Sequence, residues 1–250
     1  MENEAKAERE PLSSRFIRVL SGGPAPTKRR YDAPEIYGVS AMSKIVRALP
    51  AVERTYATIR FAIMRPKLLS VMDLLLPDEG RILDIGCGFG LFAAYFAQTQ
   101  PDRQIFGVDP NAARIEMAKR VAAEVGVGNT YVAGDARDVQ IDGKFAGAYV
   151  LDVMHHIPEE DQVALLERIR DMLAPRGVLV IKDITTEPTV GLEFTRLLDR
   201  LMVGWREPLC YRHHREWGAI LERLGFKVRA VRVPDVMPYP HVVIAATKLG

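Results

Sequence analysis

The segment Ile82-Leu83-Asp84-Ile85-Gly86-Cys87-Gly88-Phe89-Gly90-Leu91-Phe92 gathers residue types that bind a ligand through the backbone. Glycines at 86, 88 and 90 let a chain turn sharply and approach a ligand where any Cβ would collide. A helix that begins directly behind such a loop points its N-terminus, with its unsatisfied N–H groups, at that ligand. A dinucleotide loop reads GxGxxG; here the third glycine comes one position early, and the carboxylate of Asp84 stands two residues ahead of the loop. A pyrophosphate needs neutralising donors, whereas Asp84 suits a ligand with a positive end. Three further segments carry polar groups: Phe106-Gly107-Val108-Asp109-Pro110, Gly134-Asp135-Ala136 and Leu151-Asp152-Val153-Met154-His155-His156. A second histidine pair, His213-His214, precedes a helical stretch.

The surrounding pattern supplies the elements that must position these groups. Arg81–Ile85, Gln104–Asp109, Thr130–Ala133, Phe145–Leu151 and Gly177–Lys182 read as strands, and 91–98, 112–125 and 159–173 as helices between them. Pro158 followed by Glu159, Glu160 and Asp161 is a strong helix start. Strands alternating with helices imply a mostly parallel sheet covered on both faces. Lys227–Val233 and Val242–Thr247 follow a helix at 215–224 with no helix between them, so they must pair antiparallel. Phe194, Leu197, Leu198, Leu201, Met202 and Trp205 recur at helical spacing and form an insertion after the fifth strand. Upstream, 39–76 reads as helical, with Pro66 expected to break it in two.

The combination D-I-G-C-G-F-G after a strand resembles motif I of the class I S-adenosylmethionine-dependent methyltransferases, and the likeness extends over about residues 80–250. The resemblance implies an α/β, Rossmann-like fold: a mostly parallel seven-stranded sheet with a terminal antiparallel strand, helices on both faces and an N-terminal helical lid. It implies S-adenosyl-L-methionine as cofactor, held by Asp84, Gly86, Cys87, Gly88, Gly90, Asp109, Pro110, Asp135, Ala136 and Leu151. In that family the carboxylate at the position of Asp109 accepts both ribose hydroxyls, and the acidic residue at the position of Asp135 meets the adenine amino group. The end of the fourth strand lines the methyl-transfer site, which makes His155 and His156 candidate bases, with His213 a third. Family members place a small polar helix cap where His213 stands.

Each residue also has a plainer use. Asp109 is alternatively a strand-end surface residue, Asp135 a turn residue, Cys87 a small filler, and one of His155 and His156 a packing partner of the helix behind Pro158. A metal is not expected, since adjacent histidines cannot readily share one ion and no H-x-x-x-H spacing accompanies them. The Leu-Asp-Val-Met ending of strand four differs from the Asn/Asp-Pro-Pro-Tyr/Phe of enzymes that methylate nucleobase or glutamine amino groups. The resemblance then points to the small-molecule branch, which includes quinone, lipid and natural-product methyltransferases. The alternatives are an RNA or protein methyltransferase using the basic front of the chain, and, further off, a nicotinamide-dependent oxidoreductase. Glycine spacing, the terminal hairpin and the lack of Tyr-x-x-x-Lys oppose the oxidoreductase.

Composition sets the outer bounds. With 250 residues, 48% hydrophobic and 26% charged, disordered, collagenous and disulfide-scaffold classes are excluded. Two cysteines make no disulfide framework, and the polar start MENEAKAERE lacks the basic end and apolar core of a secretory signal, so a cytoplasmic location is expected. Between Pro11 and Ser70 eleven basic residues face three acidic ones, a balance of +8 against a chain total of +2. This basic front suggests an anionic membrane surface as a partner, peripheral at the inner face of the membrane, with nucleic acid less favoured. The expected organisation is a mobile arm at 1–40, a helical lid at 41–78 and a cofactor-binding domain at 79–250 with its lid insertion at 187–210. The two lid regions carry Tyr56, Phe61, Ile63, Met64, Phe194, Leu201, Met202 and Trp205, which favours an apolar small-molecule acceptor.

Overall fold

The computed structural model describes residues 34–203, 209–232 and 240–250. Its centre is a seven-stranded sheet of β1 (Gly80–Ile85), β2 (Arg103–Asp109), β3 (Thr130–Ala133), β4 (Phe145–Leu151), β5 (Leu173–Ile184), β6 (Phe226–Arg232) and β7 (His241–Lys248). The order across the sheet is β3-β2-β1-β4-β5-β7-β6, and β7 runs antiparallel to both its neighbours. The expected fold class, including the antiparallel terminal strand, is the one observed. Strand order reverses between β1 and β4, the place where ligands bind beyond the carboxyl ends of the strands.

The helices are α1 (Pro34–Arg47), α2 (Ala51–Leu75), α3 (Leu91–Thr99), α4 (Ala112–Val125), α5 (Glu159–Met172), α6 (Thr189–Val203) and α7 (His214–Arg223). The first four cover one face of the sheet around Leu69, Met72, Tyr95, Phe96 and Tyr149. Helices α5 and α7 cover the other around Phe145, Leu166, Ile169, Trp217 and Phe226. Burial on both faces explains why the central strands read as nearly unbroken apolar runs. Helix α4 is capped by Asn111, whose side chain accepts from Ala113 N at 3.0 Å and Arg114 N at 3.1 Å. Helix α3 instead starts at Gly90, which has no side chain to cap the first turn and so leaves those N–H groups for a ligand.

The front of the chain departs from expectation in two ways. Helix α1 begins at Pro34, inside the stretch 1–40 expected to be an arm, and a break at 48–50 separates it from α2. The break expected at Pro66 is present: Arg65 has φ 46° and ψ 150°, because the proline ring keeps the preceding residue out of the helical region. Beyond this kink α2 is fixed to the sheet by Arg103 of β2. Its guanidinium, with a fully buried side chain, pairs with Asp73 and donates to Pro77 O at 2.6 Å. Strand β5 starts at Leu173, four residues before the expected Gly177. The insertion helix starts at Thr189, inside the expected insertion 187–210, and Trp205, Val233 and the arm up to residue 33 lie outside the described residues.

Candidate cofactor and acceptor site

The glycine loop is tied to β2 by two amides, since Gly86 N and Cys87 N both donate to Val108 O, at 2.8 and 3.0 Å. Gly86 has φ +75°, and a Cβ there would stand 2.4 Å from Val153 Cγ2. Only glycine therefore allows the loop to close under the end of β4. Asp109 is 4% exposed; its Oδ2 accepts from Gly88 N at 3.0 Å and its Oδ1 from Asn111 N at 2.9 Å. Each carboxylate oxygen accepts more than one hydrogen bond, so these two amides aim the group without exhausting it. Asp84, 3% exposed, accepts from the Tyr149 hydroxyl at 2.7 Å. Burial raises its carboxyl to about 7, with the Tyr149 hydrogen bond pulling down and the Asp109 charge pushing up.

Two buried carboxylates that repel each other suit a ligand carrying positive charge and hydroxyl donors. Gly88, which donates to Asp109, has φ +53°, and a Cβ there would meet nothing within 4 Å. A dinucleotide would bring a pyrophosphate to this place, where both carboxylates would oppose it. Cys87 is buried, packs against Gly107, and has its thiol pushed up by burial and by the Asp84 and Asp109 charges. It stays protonated and fills space. The remaining expected contacts are more dispersed. Leu151 is buried and Pro110 exposed, and Ala136 is partly buried against the second core. Asp135 is half-buried and paired with Arg137 at 2.6 Å, which holds its carboxyl below the ordinary range. Arg137 also reaches Asp161, so the Asp135 carboxylate is oriented by a surface ion-pair chain.

Val153, seated on the glycine loop, belongs to the turn that carries the second half of the site. Asp152 takes φ +53° at the carboxyl end of β4. One carboxylate oxygen contacts Lys182 Nζ of β5, and the other accepts from Arg60 Nη2 of α2 at 3.1 Å. These two cations hold the Asp152 carboxyl well below the usual carboxylate range despite its burial. Arg60 also lies over the Phe92 ring at 5.6 Å, while Tyr56 meets Phe89 edge-on at 5.4 Å. The first half of α2 thus covers the glycine loop. On the opposite face of β5, Asp183 Oδ1 lies 2.5 Å from His155 Nδ1 and also accepts from Ile184 N at 2.7 Å. The His155 ring is 4.9 Å from Tyr211 and nearly parallel to it, and 4.1 Å from His156. Ile63 of α2, Leu192 and Phe194 of α6, Ile184 and Tyr211 form a small apolar cluster above this edge. It brings together the two regions expected to build an acceptor pocket.

The structure gives His213 another task. It is the N-cap of α7, with Nδ1 accepting from Arg215 N at 3.2 Å and Nε2 3.5 Å from Glu187 Oε2. Its neighbour His214 pairs through Nδ1 with Thr185 Oγ1 at 2.9 Å. His241, at the start of β7, is buried and lowered to about 3, first by burial and then by the Lys182 charge, so it remains neutral. Sequence reasoning missed Tyr149, Lys182, Asp183 and His241, and it read Arg60, with Arg54, Arg65 and Lys67, as a contact for an anionic head group or membrane surface, whereas Arg60 pairs with Asp152. The signal for two of them was present: Lys182-Asp183 is a charged pair closing a strand whose other residues are apolar. Arg60 has no such signal, because its partner is 92 positions away.

Residues 56–231 match the family described as Methyltransferase domain. The chain belongs to that family. Its members use S-adenosyl-L-methionine, and the buried carboxylates of Asp84 and Asp109 beside the glycine loop fit this cofactor. Among curated proteins, a ubiquinone biosynthesis O-methyltransferase of Azorhizobium caulinodans is 35% identical over 112 residues, covering 44% of this chain and 43% of its own. One from Chelativorans sp. is 36% identical over 119 residues, with 46% of each chain covered. The chain thus spans less than half the length of these relatives. Solved structures repeat the fold. The S-adenosylmethionine-dependent methyltransferase SibL superposes with a TM-score of 0.64 at 19% identity, over 89% of this chain and 71% of that one. Magnesium protoporphyrin IX methyltransferase from Synechocystis PCC 6803 gives 0.59 at 17% identity, over 88% and 99%.

Proposed function

We propose that the chain transfers a methyl group from S-adenosyl-L-methionine to an oxygen of a small, largely apolar acceptor. One observation carries this reading. Val153 rests on Gly86, so the loop that suits a cationic nucleoside and the turn bearing Asp152, His155 and His156 form one continuous site. The likeness to ubiquinone biosynthesis O-methyltransferases supports oxygen as the accepting atom, and the cluster of Ile63, Leu192, Phe194 and Tyr211 supports an apolar acceptor body.

When bound, the cofactor supplies a methyl group on a positively charged sulfur. Gly88 leaves room for it, Asp109 accepts its ribose hydroxyls, and Asp84 faces its positive end. Asp135 and the backbone at Ala136 take the adenine, with Leu151 and Pro110 at the rim. The first half of α2 excludes water through Tyr56 on Phe89 and Arg60 on Phe92. A dry, aligned site supplies most of the acceleration when opposite charges meet and cancel. A hydroxyl acceptor must also lose a proton. With Asp183 accepting from Nδ1–H, His155 presents Nε2 as the basic nitrogen, and Tyr211 fixes its ring plane. His156 supports the turn, and His213 serves as a cap.

Residues 41–78 act in this reading as a lid and 187–210 as its counterpart. Val52, Tyr56 and Ile59 are exposed on α2 next to the exposed Arg54, which suits attachment to an anionic surface at the inner face of the membrane while an apolar acceptor enters. No helix of the described residues is long and apolar enough to cross a membrane. Incubation with methyl-labelled cofactor and a panel of alkylated phenols and catechols tests the proposal. Label in an ether-linked methyl is the expected result, and label on ring carbon, or in no member of the panel, would overturn it.

A further inference from the structure

Asp84 of β1 and Tyr149 of β4 are direct partners in the parallel ladder, so their side chains lie side by side on the same face of the sheet. The Tyr149 hydroxyl donates to Asp84 Oδ2 at 2.7 Å, and the two residues are 0% and 3% exposed. The phenol cannot swing away, because Phe96 meets its ring edge-on at 5.2 Å and Tyr95 in turn meets Phe96 at 5.4 Å. The titratable groups that act on or feel Asp84 are Tyr149 of β4, Asp109 of β2, Tyr131 of β3 and Cys87 of the glycine loop. None of these four carries positive charge. A carboxyl buried among such groups tends to take up a proton unless a donor stabilises its charge.

We propose that Tyr149 is a positioning residue for the cofactor, its hydroxyl fixing the Asp84 carboxyl toward the positive end of S-adenosyl-L-methionine and favouring that pairing. This rests on the assignment of Asp84 as a cofactor contact. The phenol is suited to the task, since burial and the Asp84 charge push its own ionisation well above the ordinary range and it remains a donor. The Asp84 carboxyl, raised to about 7, is partly protonated near neutral pH before the cofactor arrives. Binding of a cation then releases that proton to solvent, and affinity falls as pH drops below the midpoint.

Calorimetric titration with S-adenosylhomocysteine, which keeps a positive amino-acid end, tests this between pH 6 and pH 9. Wild-type affinity should be level at high pH and weaken about tenfold for each pH unit below the midpoint. Tyr149→Phe should bind about tenfold more weakly at pH 7 and recover to within about threefold at pH 9, because a charged-group hydrogen bond is lost and higher pH restores the charge. Asp84→Asn should bind weakly with no pH dependence. Unchanged affinity in Tyr149→Phe at pH 7, or an equal loss at pH 6 and pH 9, overturns the proposal, the latter being the mark of a purely structural role. Absence of binding by the wild type at every pH would instead overturn the cofactor assignment of Asp84. Should Tyr149→Phe fail to fold, carbon NMR of the wild-type Asp84 carboxyl decides. A midpoint that falls when S-adenosylhomocysteine is added supports the proposal, and one that does not move overturns it.

Discussion

Replacing Asp152 with asparagine removes the one carboxylate that Lys182 and Arg60 share. The Lys182 side chain is fully buried and that of Arg60 is 15% exposed, so the two losses differ in kind. Lys182 is left as a buried charge facing a neutral amide, a change that costs about 3–5 kcal/mol when one partner of a buried pair is removed. Arg60→Gln should cost only about 1 kcal/mol, because the arginine reaches solvent and Asp152 keeps Lys182. The double change Asp152→Asn with Lys182→Met should recover most of the first loss, since an apolar replacement of a buried pair is often nearly neutral. Urea unfolding followed by circular dichroism reads all three. The Asp152 carboxyl titrates below its unfolded value, near about 3.9, so the stability it supplies is complete above that pH and drains away as pH falls below it. A loss under about 1 kcal/mol for Asp152→Asn at pH 7, or no recovery in the double variant, would refute the idea that the pair is a closed electrostatic unit.

Asp109→Ala should weaken binding of S-adenosylhomocysteine at least tenfold, at roughly 1.5–3 kcal/mol for a charged acceptor, and should also loosen the loop by releasing Gly88 N. His155→Gln should lower kcat on a hydroxyl acceptor by about a hundredfold or more with little change in cofactor affinity, whereas His156→Gln should stay within about threefold. Asp183→Asn should reproduce part of the His155 loss, because the amide leaves the tautomer unset. Vesicles of phosphatidylglycerol should capture the protein at low salt and release it at high salt. Equal capture by neutral vesicles would remove the anionic-surface proposal.

The sheet was legible because its signals are local. Alternating strand and helix patterns, the three-glycine loop and the directly joined last two strands each depend on neighbouring residues, and the structure places them as expected. The grouping of Asp84, Gly88 and Asp109 was legible for the same reason, since all three lie at or just past the carboxyl ends of the neighbouring strands β1 and β2. The acceptor half is built from pairs distant along the chain, such as Arg60 with Asp152 and His155 with Asp183. The sequence put His155 and His156 ahead of His213, and packing adds that His155 is held by a buried aspartate while His213 caps a helix. The start of α1 was hidden because Gly38 and the preceding Pro34 weaken the helical pattern, yet Gly38 is buried where a Cβ would meet the Tyr95 hydroxyl at 3.0 Å. Close packing, not propensity, selects that glycine.

The central claim is that the glycine loop, with the buried carboxylates of Asp84 and Asp109 beside it, holds S-adenosyl-L-methionine and rejects a pyrophosphate. Parallel calorimetric titrations of the full chain with S-adenosyl-L-methionine and with NADH at pH 8 test it most directly. One-to-one binding of the first with no heat from the second is the predicted result. Saturable binding of NADH, or no binding of S-adenosyl-L-methionine by a chain that circular dichroism shows to be folded, would contradict it.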